Sequence, residues 1–274
     1  MPVDVQAAIA AQTRPRTIRA FRRFLACQDA LAGVVVKYVS GREVARRVAE
    51  GGSGDPLRAV LRDADATSLE RACSAHGIDL SLSISALVAE HEVDGDAGRA
   101  GVLVAWHVPA RGASPTGGRP RCVGVATLYT FKSALNFNTL PESMDADDFA
   151  TLRSYMDGHH LYIDHLCSVR PAVERVLALH AYDRALSASA RGVVAMAYAS
   201  TPRATPSTKR MYVASLGFTP IVASAQFTVA KMHGAWMLRT TESAAIADVV
   251  GRSVHACVRG GMSMHAAGRL LSRH

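Results

Sequence analysis

The sequence predicts a chain of the α/β (α+β) class, in which helices flank a central sheet. Residues 161–218 alternate strand-like and helix-like patterns in the order strand, helix, strand, helix. Upstream, apolar runs at 102–108 and 122–131 flank a Gly/Pro-rich connector, as the two strands of a hairpin do. Both ends of the chain have helical periodicity. We therefore predict a helical N-terminal region at 1–78, a sheet-containing domain at 79–240 and a helical C-terminal tail at 241–274.

The N-terminal region reads as helices, part of which can belong to the core. One face of its first helix is apolar and the other is rich in arginine. The apolar face carries Ile18, Phe21, Leu25 and Ala32. The β-branched run 34–39 fits either a strand or a continuation of this helix. A glycine-rich break at 51–56 and a Thr-Ser-Leu-Glu start at 67–70 delimit two further helices.

From residue 79 onward the pattern is that of strands with polar connections. Leu80, Leu82 and Ile84 alternate with polar residues, which predicts a half-buried strand. The Asp-rich stretch 138–158 predicts a polar excursion with one short helix. Two closing strands are predicted at 221–229 and 235–239.

Composition limits the classes of function. The net charge is +8, and 27 of the 31 basic residues are arginine, which fits either a coding bias or attraction to a polyanion such as nucleic acid or coenzyme A. No apolar run is long enough for a transmembrane helix. The five cysteines are scattered, which predicts free thiols in a reducing, cytoplasmic compartment. Dinucleotide-binding, P-loop, serine-hydrolase and zinc motifs are not found in the sequence.

The unit at 161–218 resembles the C-terminal half of the GNAT acyltransferases. Leu161–Val169 corresponds to the fourth strand of that family and 192–199 to the fifth, and the Leu-Gly-Phe ending at Gly217 also matches. The resemblance implies a mixed, mostly antiparallel sheet. It also implies that the fourth and fifth strands diverge to form a notch for the thioester of acetyl-CoA.

The resemblance also implies which residues hold acetyl-CoA. The backbone of the fourth strand would pair with the pantetheine arm, and a loop at a helix N-terminus would bind the pyrophosphate. The pairing edge comprises Leu166, Cys167, Ser168 and Val169. The family's loop pattern aligns with Arg175, Ala178 and His180, where Ala178 and His180 replace glycine-type positions, and Arg170 is a second phosphate partner. A competing register begins the helix at Pro171 and uses the amides that follow it.

Catalytic residues follow from the same resemblance. The family often places a tyrosine four residues before the glycine, as the acid that protonates the leaving thiolate. Here Val213 occupies that spacing and Tyr212 precedes it, so Tyr212 is the candidate acid. Asp164 and His165 are the candidate bases, and strand alternation predicts that only one of them faces the cleft.

The expected function is therefore direct transfer of an acetyl group from acetyl-CoA to an unidentified amine, on a small molecule or a peptide. Two alternatives stay open at this point. One is a GNAT-like binding or structural protein without the cofactor, and the other is a basic nucleic-acid-binding protein. No membrane association is expected, and the sequence is compatible with a homodimer.

Overall fold

The structure is a computed structural model that describes residues 3–51, 55–62, 64–75, 78–94, 100–108, 120–132, 145–199, 210–227 and 232–259. The described strands are β1 (Val34–Ser40), β2 (Gly101–His107), β3 (Cys122–Lys132), β4 (Asp157–Ser168), β5 (Gly192–Ala199), β6 (Thr219–Phe227) and β7 (Met232–Thr240). The described helices are α1 (Val3–Ala32), α2 (Gly41–Gly51), α3 (Pro56–Leu61), α4 (Thr67–Ala75), α5 (Leu80–Asp94), α6 (Ala146–Tyr155), α7 (Pro171–Ser187) and α8 (Ser243–Arg259).

The seven strands form one open sheet in the order β1-β2-β3-β4-β5-β7-β6. Strands β4 and β5 pair in parallel, and the other neighbouring pairs of the sheet are antiparallel. Parallel strands need a crossover connection, and α7 supplies it. The sheet is therefore mixed and mostly antiparallel with flanking helices, which confirms the predicted fold class.

Two apolar clusters cover the two faces of the sheet. On one face, side chains of α1, α7 and α8 pack against the central strands, with Phe21, Leu177 and Ile246 among the buried residues. On the other face, α2 to α6 bury residues such as Leu69 and Leu152. The described parts of both terminal extensions thus contribute to the main core, while the boundaries at 78/79 and 240/241 stay predictions.

The predicted strand at 80–85 is wrong, because these residues begin α5. Leu80, Ile84 and Leu87 are buried at spacings of four and three, whereas Leu82 is 69% exposed. Helical and strand periodicity both bury positions 80 and 84, so only position 82 and the residues beyond it distinguish the two. The side chain of Asp79 accepts a hydrogen bond from the Leu82 N–H at 3.0 Å and thereby caps the helix.

Other predicted elements are confirmed where the structure describes them, among them the antiparallel hairpin of β2 and β3. Of the two possibilities left open for residues 34–39, the structure has the strand, β1. Gly217 has a φ of 69° and follows the π-helical segment Met211–Ser215, as expected of a glycine that ends a helix. Three predicted regions lie largely or wholly outside the described residues. They are the Gly/Pro connector between β2 and β3, residues 133–144 and the tail after residue 259.

The expectation that all cysteines are free is wrong for two of them. Cys73 on α4 and Cys167 on β4 form a disulfide with their Cα atoms 6.0 Å apart. Cys122 is a free thiol, and burial raises the pKa of that thiol to about 12. The bonded pair is separated by 94 residues, so its proximity depends on how α4 crosses the sheet and not on local spacing.

No single described helix has the length and apolar character needed to cross a membrane. Helices α4 and α5 satisfy that test only as a pair bent by 91°. Both helices bury side chains against the sheet.

Candidate active site

The candidate site is the notch where β4 and β5 separate. The two strands pair only from His160 opposite Gly192 to Ile163 opposite Ala195. Beyond this point β5 continues along β7, and β4 continues along β3. The divergence predicted for the fourth and fifth strands is thus confirmed, and it leaves one edge of β4 open after Ile163.

The open edge of β4 offers backbone hydrogen-bonding groups. The N–H of Val169 donates to the Val123 carbonyl at 3.0 Å, so Val169 and, by alternation, Cys167 turn their backbone groups toward β3. The N–H and C=O groups of Leu166 and Ser168 therefore point to the notch. Of the four residues predicted to pair with pantetheine, these two are the ones whose backbone is positioned to do so.

A β-bulge brings Asp164 and His165 together at the start of the open edge. Leu128 pairs with Ile163 and Ala126 with Leu166, so Thr127 alone faces both residues of β4 between them. The prediction that their side chains point to opposite faces is therefore wrong, because a bulge breaks strict alternation. The Nδ1 atom of His165 lies 2.6 Å from Oδ2 of Asp164.

Ser83 on α5 completes this cluster from the helical layer. Its Oγ atom lies 2.9 Å from Nδ1 of His165, and its hydroxyl donates to the Asp79 carbonyl at 3.2 Å. The hydroxyl of Tyr129 on β3 donates to the Ser83 carbonyl and ties α5 to the sheet. The backbone N–H of His165 donates to Oγ1 of Thr127 at 3.1 Å, so both the ring and the backbone of His165 are fixed.

These contacts favour one tautomer of His165. The Ser83 proton is used by Asp79, so Oγ of Ser83 acts as an acceptor, like the Asp164 carboxylate. A proton on Nδ1 satisfies both acceptors and leaves the lone pair on Nε2. No described residue hydrogen-bonds to Nε2. Asp164 and His165 are 22% and 34% exposed, so the cluster can be reached from solvent.

The predicted pyrophosphate register through Ala178 is wrong. Ala178 lies in the middle of α7 and is completely buried against the sheet, and its amide is within the helical hydrogen-bond ladder. His180 bonds Asp29 of α1 through Nε2 at 2.8 Å. The structure begins α7 at Pro171, as the competing register requires.

The start of α7 offers few donors to a diphosphate. Pro171 has no N–H, and the N–H of Val173 already donates to the Arg170 carbonyl at 3.0 Å. Glu174 places a carboxylate in the first turn. Arg170 directs Nη2 to the Ala32 carbonyl at 3.0 Å, whereas Nε of Arg175 is buried without a described partner. Phosphate binding by Arg170 and Arg175 stays a prediction.

Glu174 is expected to weaken the fold at neutral pH, because burial raises the pKa of its carboxyl group. A carboxyl group whose pKa is raised in the folded state contributes most to the stability of the fold at low pH. That contribution is lost as the pH rises through the folded-state pKa. Glu174→Gln should therefore increase the free energy of unfolding at pH 7 but leave it nearly unchanged near pH 4. Urea denaturation at both pH values measures this, with the exposed Glu242→Gln as control. An equal change at both pH values would contradict the prediction.

Tyr212 lies in the apolar core. It is 3% exposed, and its ring centroid lies 4.9 Å from that of Phe218. Burial, together with the nearby Glu174 carboxylate, raises the pKa of its hydroxyl group, which makes it a weaker acid. Its role as the acid stays a prediction, and this environment fits the structural alternative better.

Two further reactive side chains of β4, those of His160 and Cys167, are held by other partners. His160 is buried at the opposite end of the β4–β5 pairing, with Nδ1 3.2 Å from Oδ1 of Asp157, about 17 Å along the strand from His165. The sulfur of Cys167 is taken up by the disulfide with Cys73. The described residues contain no group of three or more His, Cys, Asp or Glu side chains that could hold a metal ion.

Sequence reasoning missed Ser83, which the structure places against His165. The polar alternation around Ser83 predicted a strand. A strand there gives no reason to expect contact with His165, whereas the helix α5 packs over β4. The signal that could have identified it is the spacing of Leu80, Ile84 and Leu87 behind the capping residue Asp79.

No protein-family model and no curated protein sequence matches the chain. Several solved structures have a similar arrangement of elements. An N-acetyltransferase from Staphylococcus aureus Mu50 is 9% identical with a TM-score of 0.39, over 76% of this chain and 98% of that protein. The N-acyl amino acid synthase FeeM from uncultured soil microbes is 12% identical with a TM-score of 0.44, over 82% of this chain and 96% of that protein. The protein yncA from Salmonella typhimurium, solved with its cofactor acetyl-CoA, is 13% identical with a TM-score of 0.37, over 76% of this chain and 94% of that protein.

Proposed function

We propose that this chain with a GNAT-like fold is an N-acyltransferase that moves an acetyl group from acetyl-CoA to an amine. The observation that carries the proposal is the cluster of Asp164, His165 and Ser83 at the residue where β4 and β5 separate. The cluster places a free imidazole nitrogen beside an open strand edge. An acyl transfer to an amine needs a base at the point where the thioester is held.

His165 acts as the general base in this proposal. Asp164 and Ser83 hold the proton on Nδ1, so Nε2 is available to accept a proton from the amine. The amine nitrogen bonds the acyl carbon as the carbon–sulfur bond breaks. One amine proton passes to Nε2, and the electron pair of the broken bond leaves with the thiolate. Solvent or a neighbouring acid then supplies the proton that the thiolate takes up.

The acyl donor fits the notch better than it fits the helix start. The backbone groups of Leu166 and Ser168 can pair with the pantetheine amides like an added strand. The first turn of α7 provides a single unbonded amide, that of Ala172, and the carboxylate of Glu174 opposes an incoming phosphate. The pantetheine arm is therefore the main binding determinant, and we expect the nucleotide to contribute little affinity.

Calorimetric titration with acetyl-CoA and with coenzyme A tests this function, followed by assay of thiol release with a panel of small-molecule and peptide amines. We expect saturable binding of acetyl-CoA and amine-dependent thiol release. Pantetheine should bind within about tenfold of coenzyme A, because a weak pyrophosphate contact is worth little more than about 1 kcal/mol. Binding without thiol release from any amine would contradict the catalytic assignment.

A second function, a GNAT-like binding protein without the cofactor, is favoured by the start of α7. Pro171 removes a donor and Glu174 adds a negative charge where the pyrophosphate would lie. The same titration distinguishes the two functions. No heat of binding with acetyl-CoA or pantetheine at millimolar concentration would support the binding protein and contradict the enzyme.

A further inference from the structure

A cavity of about 450 Å³ lies at the edge of the sheet where β4 ends. This volume is within the range of small-molecule sites. Its polar lining comes from four separate segments of the chain and consists of Ser68, His107, Arg121 and Arg170. Its apolar lining consists of Ala72, Val123 and Val169. The cavity therefore combines positively charged groups with a small apolar wall.

The cavity lies on the opposite side of β4 from the notch. His107 ends β2 and Arg121 directly precedes β3, so the lining strands are on the side of β4 that faces away from β5. Ser68 and Ala72 are one turn apart on α4 and present one face of that helix. The side chain of Arg170 also points away from β5. Its Nη2 reaches the carbonyl of Ala32, which lies just before β1 at the opposite edge of the sheet. The cavity is thus separate from the edge that would hold the acyl donor.

The guanidinium groups of the cavity have donors to spare. Arg121 donates from Nη2 to Oγ of Ser68 at 2.9 Å, and no described residue accepts from its other N–H groups. Arg170 likewise uses one donor, for the Ala32 carbonyl. Each guanidinium carries five N–H donors in a planar fork. Several donors from two chain segments can therefore meet at one anion.

The nearby carboxylates of Asp65 and Glu70 have hydrogen-bond or ion-pair partners outside the cavity. Oδ1 of Asp65 accepts from the Thr67 N–H at 3.1 Å, and hydrogen bonds to Thr67, then the charges of Arg121 and Arg58, lower the pKa of its carboxyl group. Asp65 does not line the cavity. Glu70 pairs with Arg58 at 2.8 Å. Two cationic side chains thus line the cavity without an anionic one among the described lining residues.

We propose that this cavity binds a small ligand that carries a phosphate group. Arg121 and Arg170 would bind the phosphate oxygens, because guanidinium groups match phosphate in charge and in planar geometry. The Ser68 hydroxyl adds a donor or acceptor beside them, and the body of the ligand would lie on Ala72 and Val123. The cavity lies across β4 from the catalytic cluster, and Arg170, which is also a predicted phosphate partner of acetyl-CoA, borders both sites.

Calorimetric titration of the full chain with inorganic phosphate, at fixed ionic strength, tests the proposal. We expect saturable binding in the wild type. Arg121→Gln should weaken it by about tenfold to a hundredfold, because a hydrogen bond to a charged group is lost. Arg191→Gln is the matched control, since Arg191 is exposed and lies at the start of β5, and it should bind phosphate like the wild type. Thermal unfolding of each variant checks that the fold is retained.

Three results would overturn the proposal. The first is the lack of saturable phosphate binding by the wild type, and the second is equal phosphate affinity in the wild type and Arg121→Gln. The third is loss of phosphate binding when acetyl-CoA is present at saturation, which would make the cavity part of the donor site. His165→Ala separates this proposal from the enzymatic one, because it should retain phosphate binding whether or not the chain transfers acyl groups.

Discussion

His165→Ala is expected to lower the rate of acyl transfer by about 10²- to 10⁴-fold, the usual contribution of a positioned general base. The substitution removes Nε2, the imidazole nitrogen that accepts the amine proton in the proposed mechanism, while Nδ1 contacts Asp164 and Ser83. The loss should appear in kcat, because the pantetheine contacts come from the backbone of β4 and remain. Steady-state kinetics with the best amine of the panel, together with calorimetry for acetyl-CoA, measure the two effects separately.

The matched control for this prediction is His159→Ala. His159 is an exposed histidine on the same strand, at the end away from the notch, so its loss should leave kcat near the wild-type value. Asp164→Asn should give a smaller loss than His165→Ala, because the amide still contacts the imidazole but no longer favours a proton on Nδ1. A kcat that is equally reduced in the His159 and His165 variants would remove His165 from the mechanism.

Ser83 offers a further check on how His165 is positioned. Ser83→Ala removes the hydroxyl that meets Nδ1 at 2.9 Å but leaves the Asp164 contact intact. We therefore interpret Ser83 as a positioning residue that restricts rotation of the ring. Its position on α5 also connects the site to Tyr129 and to the core beneath it.

The strand–helix–strand unit could be predicted from sequence because each of its elements has a distinct local pattern. The apolar run of β5, the periodic helix α7 and the terminal Gly217 each lie where the pattern predicted. Asp164 and His165 could be selected as candidates from their place on β4. The contact between Asp164 and His165 could not be predicted. It depends on a β-bulge opposite Thr127, and no residue type in β4 indicates that bulge.

Long-range contacts account for most of the remaining differences. Ser83 is 82 residues from His165, and Cys73 is 94 residues from Cys167, so neither pair has a signal in local spacing. The start of α7 illustrates a different difficulty. The family's loop pattern favoured Arg175 and Ala178, but Pro171 defines the first turn and places both residues inside the helix.

Phe21→Ala is expected to lower the free energy of unfolding by about 3–5 kcal/mol, the usual cost of removing a fully buried aromatic side chain. Phe21 is completely buried, and its ring meets that of Tyr182 on α7 edge to face at a centroid distance of 5.5 Å. Helix α1 would therefore stabilise the sheet face that positions α7 and the notch. Urea denaturation followed by circular dichroism measures the change.

Arg22→Ala is the control, because Arg22 lies beside Phe21 but makes only surface contacts: a half-exposed ion pair with Asp183 and a hydrogen bond to the Ser187 hydroxyl, each at 2.8 Å. Such pairs contribute about 1 kcal/mol or less, so this variant should unfold near the wild-type midpoint. A loss below about 1 kcal/mol for Phe21→Ala would indicate that α1 is an appendage, since a buried aromatic residue in the main core costs more. Two separate unfolding transitions would likewise show that the N-terminal region is independent of the sheet. A single transition that shifts with Phe21 alone would make α1 part of the same cooperative unit as α7 and the candidate site.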